Sequence, residues 1–145
     1  MIKLVCVGKI KESYLNDLIN DYKTRISKYH KIEILELKDS SVHTESNEIL
    51  KVLNSKDYNI LLDIKGETLD SVELSKLINE TFSSSYGTIT FIIGGSNGVE
   101  DSVRNIVNKR ISFSKLTFPH GLFRGILLEQ IYRSFKILNN ESYHK

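Results

Sequence analysis

The residues best placed to do chemistry lie in the last third of the chain. Ile93-Gly94-Gly95-Ser96-Asn97-Gly98 leaves an apolar run and enters a stretch carrying Glu100 and Asp101. Glycines in such a turn permit positive φ and let a ligand come close to backbone N–H groups. Further on stand Pro119-His120-Gly121, the pair Glu129 and Arg133, and a polar tail ending Tyr143-His144-Lys145. Glu129 and Arg133 are four apart and can pair on one helix face.

Two nucleotide chemistries do not fit the glycine loop. A phosphate-cradling P-loop ends in Gly-Lys-Ser/Thr, which is absent. A dinucleotide fingerprint needs G-x-G-x-x-G in the first strand-helix turn and an acid about twenty residues on for the ribose. Here the spacing is GGSNG, it follows roughly the fourth strand, and the next strand, ISFSKLTF, carries no acid. The acidic first turn after the loop also disfavours a phosphate at that helix start. A phosphate-free ligand held by backbone amides and carbonyls fits better.

These groups must be positioned by alternating strands and helices. Ile2 to Gly8 reads as a buried strand, Ser13 to about Tyr29 as a helix with Tyr14, Leu15, Leu18, Ile19, Tyr22 and Ile26 at helical spacing, and Ile32 to Leu37 as a half-exposed strand. The basic second half of that helix (Lys23, Arg25, Lys28 and Lys31) reads as a solvated face. Lys38 to Asn47 reads as a loop with His43 on the surface, and Glu48 to Asn54 as a short helix. Tyr58 to Ile64 is a buried strand closed by the turn Lys65-Gly66. A helix then runs to about Phe82, capped by Asp70 or Ser71 and burying Val72, Leu74, Leu77 and Ile78.

Thr88 to Ile93 is the next strand, Ile111 to Phe118 the last, and His120 to Leu138 a long helix whose Phe123, Leu127, Ile131 and Phe135 make a core face. Gly121 and Gly125 form a smooth strip on it, which suggests a dimer contact. Continuously apolar central strands alternating with helices call for an α/β fold with a mainly parallel sheet sandwiched by helices.

The 145 residues are expected to form one domain, 1–145. With 40% hydrophobic and 26% charged residues the composition is ordinary for a globular protein. No run approaches the roughly eighteen apolar residues of a membrane span, and the start shows no signal-peptide site. Cys6, the one cysteine, lies in an apolar run and is expected to be buried and inert; disulfides and cysteine-metal clusters are excluded within one chain. The expectation is a cytoplasmic protein without a metal or a membrane partner. Net charge is +2, yet residues 102–145 carry 8 Lys/Arg against two acids, whereas residues 1–101 carry 12 against 16. A basic end on an acidic body suggests a polyanion partner. The lysine-rich clamp of a DNA binder is absent, so RNA affinity of one chain alone should be modest.

Taken together, IIGGSNG, SFSKLTFPH, LLEQIYRSF and the terminal YHK, with LVCVGK and LLDIKG, resemble the RlmH family of SPOUT-class methyltransferases. The resemblance covers essentially the whole chain, which looks shorter than usual near residues 38–57. It implies methylation of N3 of a pseudouridine in large-subunit (23S) ribosomal RNA on the assembled ribosome, with S-adenosylmethionine as cofactor. It also implies a C-terminal trefoil knot and a homodimer whose two chains complete each site. On that basis Leu62, Gly94, Phe113, Ser114, Lys115, Leu116, Thr117 and Phe118 are expected to line the cofactor pocket. His120, Arg133, Tyr143 and His144 are expected to face the target base. Two other classes remain open: a non-catalytic ribosome- or RNA-binding module keeping the fold, and a small-molecule nucleotide enzyme.

Overall fold

In the computed structural model, which describes residues 1–145, the central strands form where apolar residues run together, as in IKLVCV, NILL and ITFII. The strands are β1 (Ile2–Val7), β2 (Ile32–Leu37), β3 (Tyr58–Thr68), β4 (Ile89–Ile93) and β5 (Lys109–Ser112). The helices between them are α1 (Ser13–Ser27), α2 (Val42–Val52), α3 (Ser71–Ser83), α4 (Asp101–Arg104) and α5 (His120–Leu138). The five strands make one sheet, ordered β2-β1-β4-β3-β5 and parallel throughout.

Side chains alternate across a strand, so each central strand feeds two cores. Leu4 and Cys6 of β1, Ile60 of β3 and Phe91 of β4 join a twenty-residue core under α1, α3 and α5. Val5, Val7, Leu61 and Ile92 face the other way, against Ile49 of α2, Val99 and Val103. Within α5, Leu127 and Ile131 are fully buried; truncating either to Ala would cost about 2–5 kcal/mol. Cys6 is buried as expected, and burial pushes its thiol up to about 11, which keeps it unreactive. No helix is long and apolar enough to cross a membrane.

Several local expectations are corrected. The stretch read as a loop from Lys38 to Asn47, with a helix from Glu48, is helical already from Val42. Ser41 caps it, its hydroxyl accepting the Thr44 N–H at 3.1 Å, and Glu45 favours the first turn. Lys65-Gly66 is no turn: β3 runs on to Thr68 through a bulge that skips from Leu62 to Glu67 in its pairing with β5. Only glycine fits at 66, because a Cβ would meet the Arg110 and Ile111 backbone at 2.7 Å. The last strand stops at Ser112 rather than Phe118. There the Ser112 hydroxyl donates to the Ser114 carbonyl and the Ser114 hydroxyl accepts the Leu116 N–H, which turns the chain out of the sheet.

Val72 and Tyr14 stand exposed (38% and 69%), at the outer edges of their helices' apolar faces. Phe123 is only partly buried, at the end of the α5 stripe. The glycine strip of α5 is taken within the chain. A Cβ at Gly121 would meet Leu15 at 2.8 Å, and one at Gly125 would meet Leu18 at 2.5 Å, so these glycines let α1 approach α5.

Candidate functional site

The carboxyl ends of β3, β4 and β5 open into a cavity of about 320 Å³. Ligands of open α/β sheets settle at such strand ends. The glycine loop makes one wall. A Cβ at Gly94 would meet Val99 at 2.8 Å and the Gly98 carbonyl oxygen at 3.1 Å, so the loop closes on itself only with glycine there. Gly98 sits at φ +76, the left-handed region, and its N–H donates to the Gly95 carbonyl.

Helix α2 braces this wall. The Glu45 carboxylate occupies the space a side chain at Gly95 would need, and its other oxygen accepts the Ser40 N–H at 2.8 Å. The Ser46 hydroxyl accepts the Glu100 N–H at 2.9 Å. His43 is exposed, as expected, and meets Glu100 with Nδ1 at 3.0 Å.

The opposite wall is the segment after β5. Phe113, Ser114, Leu116, Thr117 and Phe118 line the cavity together with Leu62, Gly94 and His120. Lys115 does not; it is exposed to solvent. Phe118 stacks on Phe123 at 6.0 Å, and Phe113 tilts against Phe123 at 5.5 Å, so this end is aromatic. The other end is charged, and sequence reasoning missed it. The β3 bulge presents Asp63, whose side chain is 9% exposed, to Arg104 Nε at 3.3 Å and Arg110 Nη1 at 3.5 Å. The signal was the unpaired run Asp63–Gly66 inside a strand, legible only once its pairing partner is known. An amphipathic cavity of this size, one end aromatic and the other charged, suits a ligand with a flat apolar head and a polar tail.

Three other expected site residues gather elsewhere. The tail leaves α5 through a Schellman turn: Asn140 adopts φ +54, its N–H donates to Ile137 O at 3.1 Å, and the Glu141 N–H donates to Lys136 O at 2.9 Å. Glu141 is then pinned by Lys136 Nζ at 2.8 Å and by the Tyr29 hydroxyl at 2.7 Å. This sets the Tyr143 ring edge-on to Tyr132 at 5.0 Å, with the Arg133 guanidinium 4.8 Å from its centre. Burial, then a hydrogen bond to Tyr22, pushes the Tyr143 phenol up to about 12, so it stays neutral and can donate.

Arg133 pairs with Glu129 at 2.6 Å, and that hydrogen bond holds its pKa above the ordinary arginine value. Arg133 Nη1 also lies 3.1 Å from His144 Nδ1. A guanidinium only donates, so Nδ1 accepts and the imidazole proton sits on Nε2. His120 is not part of this cluster: from His120 to Arg133 the helix rises about 20 Å.

The charged residues of the basic end are mostly spent inside the molecule. Arg104 and Arg110 hold Asp63, Lys109 holds Glu67 at 2.9 Å, Arg124 holds Glu36, Arg133 holds Glu129, and Lys136 holds Glu141. Lys115 and Lys145 are left without a carboxylate partner. No group of side chains is arranged to hold a metal ion.

A parallel sheet sandwiched by helices, with an amphipathic cleft at its strand ends, defines an open α/β fold with its ligand site outside the carboxyl ends of the strands. Its solved neighbours agree on the fold: a tRNA (m1G37) methyltransferase from Aquifex aeolicus, 17% identical, superposes with a TM-score of 0.51 over 91% of this chain and 69% of that one. The A. aeolicus TrmH/SpoU tRNA modifying enzyme, 13% identical, gives 0.52 over 95% and 77%. The family model described as "Predicted SPOUT methyltransferase" matches residues 1–144. The ribosomal RNA large subunit methyltransferase H of Fusobacterium nucleatum is 45% identical over 153 residues, 99% of each chain. That of Clostridium botulinum strain Kyoto is 43% identical over 157 residues, again 99% of each, and a protein named putative methyltransferase H in Methanococcus maripaludis reaches 46%. The chain belongs to the SPOUT methyltransferases, in the group of the large-subunit ribosomal RNA methyltransferases H.

Proposed function

We propose that this chain transfers a methyl group from S-adenosylmethionine to N3 of a pseudouridine in 23S ribosomal RNA, on the assembled ribosome and as a homodimer. One observation carries the reading: Leu62, Gly94 and all of the segment 113–118 except Lys115, drawn from three separate motifs, converge on one cavity whose polarity matches such a cofactor. The likeness to large-subunit ribosomal RNA methyltransferases over 99% of the chain supports the substrate class. We place the chain as one domain, 1–145, with the C-terminal segment threaded as a trefoil knot, and in the cytoplasm.

When bound, the cofactor supplies an electrophilic methyl on sulfur. Backbone groups of Gly94 and of Phe113, Ser114, Leu116, Thr117 and Phe118 would hold the cofactor, and Phe118 and Phe123 would keep water from its adenine. The chain then has to align the base nitrogen with the methyl, a contribution that reaches roughly 7–11 kcal/mol in well-oriented reactions. It has also to remove the N3 imide proton, which otherwise occupies the in-plane lone-pair position.

Arg133 faces a base carbonyl and stabilises the charge that spreads there, with Glu129 fixing its orientation. In turning to the base it gives up His144 Nδ1, and that freed nitrogen takes the N3 proton directly or through a water. Tyr143, a neutral phenol, packs on or donates to the base. His120 lines the cofactor cavity at the far end of α5, so a second copy of the chain brings its own Arg133, Tyr143 and His144 to complete the site. Incubation of the enzyme with labelled cofactor and ribosomes lacking the modification should place the label at N3 of one pseudouridine. Label at another nucleotide, or none on ribosomes, overturns the assignment.

A further inference from the structure

The charged end of the cavity has no role in the reading above, and its geometry is specific. Arg104 lines the cavity with its guanidinium held from two sides: Nε donates to Asp63 at 3.3 Å, and Nη1 to Asp101 at 3.1 Å. Nη2 has no hydrogen-bond partner in the chain, and a Cβ added at Gly98 would stand 3.9 Å from it. A larger side chain at 98 would stand over this nitrogen.

Three lining residues carry ionisable groups that could meet a ligand: Asp63, Arg104 and His120. Asp63 is already engaged by Arg104, by Arg110 and by the Lys65 N–H at 3.0 Å. His120 stands at the aromatic end, at the start of α5 next to Phe118 and Phe123. A carboxylate entering the charged end therefore finds one cation with a free N–H, the Arg104 guanidinium.

We infer that Arg104 binds the α-carboxylate of the cofactor's amino-acid end, with Asp63 as the positioning residue that keeps Nη2 turned to the cavity. This rests on the cavity being the S-adenosylmethionine site. It also sets the polarity of binding: adenine at Phe113, Phe118 and Phe123, amino acid at the glycine loop and Arg104. Asp101, one of the two acids after the loop that disfavour a phosphate there, then serves to orient the cation that receives a carboxylate.

The test is calorimetric titration of the full chain with S-adenosylmethionine, its decarboxylated form and 5′-methylthioadenosine, which keeps the head and lacks the amino-acid end. Wild type is expected to prefer S-adenosylmethionine over the decarboxylated form by about 10- to 100-fold, the range of a hydrogen bond to a charged group. Arg104→Met should erase that preference and leave 5′-methylthioadenosine binding unchanged; Arg104→Lys should keep part of it. A wild type that binds none of the three overturns the cavity reading itself. Persistence of the full preference in Arg104→Met overturns the role of Arg104 alone. An equal loss for all three ligands in that variant also overturns it, because Arg104 would then be shaping the cavity rather than pairing with the carboxylate.

Discussion

Gly94 and His144 each have one atom that decides their role. At Gly94 a methyl group would press on Val99 and on the Gly98 carbonyl, so the loop must open by some tenths of an ångström. Gly94→Ala should therefore cost about 1–3 kcal/mol of stability as overpacking. It should slow methyl transfer more steeply, up to about 100-fold, because a small misplacement at the reacting centre is amplified in rate. Chemical melts and single-turnover assays on the same preparation separate the two. At His144 the deciding atom is Nδ1, occupied by Arg133 until the guanidinium turns away. His144→Ala should lower the single-turnover rate by about 10²–10⁴-fold. A variant as fast as wild type at every pH would show that another group takes the proton. Little of this was readable beforehand: Glu129 and Arg133 four apart announced a pair, but nothing in the sequence said that the tail folds back on to it.

The tail and α5 form one element held by Glu141. The Lys136–Glu141 pair is partly exposed, and such pairs contribute little to global stability. Glu141→Ala should thus leave the melting midpoint close to that of wild type, while carboxypeptidase removes Tyr143 to Lys145 faster and methylation falls. A second element reports pH. His30, just after α1, lies between Phe82 at 4.4 Å and Phe135 at 5.4 Å. Burial first, and the nearby amino terminus second, lower its pKa below the ordinary value of 6.5. The fold therefore favours the neutral ring, and the unfolded chain binds the proton more readily. That stabilisation is complete above about 6.5 and drains away as pH falls through the lowered folded value. Denaturant midpoints from pH 7 to 5 should drop in wild type and drop less in His30→Phe, which keeps the stack.

Elements with a clean period were legible: β1, β2, α3 and α5 stand within a residue or two of where the apolar pattern put them. Those settled by side chain–backbone bonds or by pairing were not. Ser41 started α2 early, Ser112 and Ser114 ended β5 early, and the bulge carried β3 past Lys65-Gly66. Each depends on a partner that a one-dimensional pattern does not contain.

Across the whole molecule the same limit applies to charge. The basic end read as a surface for a polyanion, but Arg104, Lys109, Arg110 and Arg124 spend their charge on Asp63, Glu67 and Glu36 of the acidic body. In the function proposed above, recognition of ribosomal RNA rests on shape and on the few groups around Arg133 rather than on bulk charge. Those groups stand about 20 Å of helix away from His120 and the cavity. Leu122, Ile126, Glu129 and Arg133 follow one partly exposed side of α5 between the two places. A two-fold axis across the middle of that side would set the Arg133 of one copy beside the His120 of the other, as an isologous contact requires. The consequence is complementation. A chain damaged in the cavity, Gly94→Ala, and a chain damaged at the base-facing end, Arg133→Ala, should each be weak or inactive alone. Co-expressed with two tags and purified through both, the mixed dimer carries one site with both defects and one with neither, about half the wild-type sites. Recovery of activity near that level supports a site built from two chains; a mixed dimer no more active than its parents means that each chain works with its own residues.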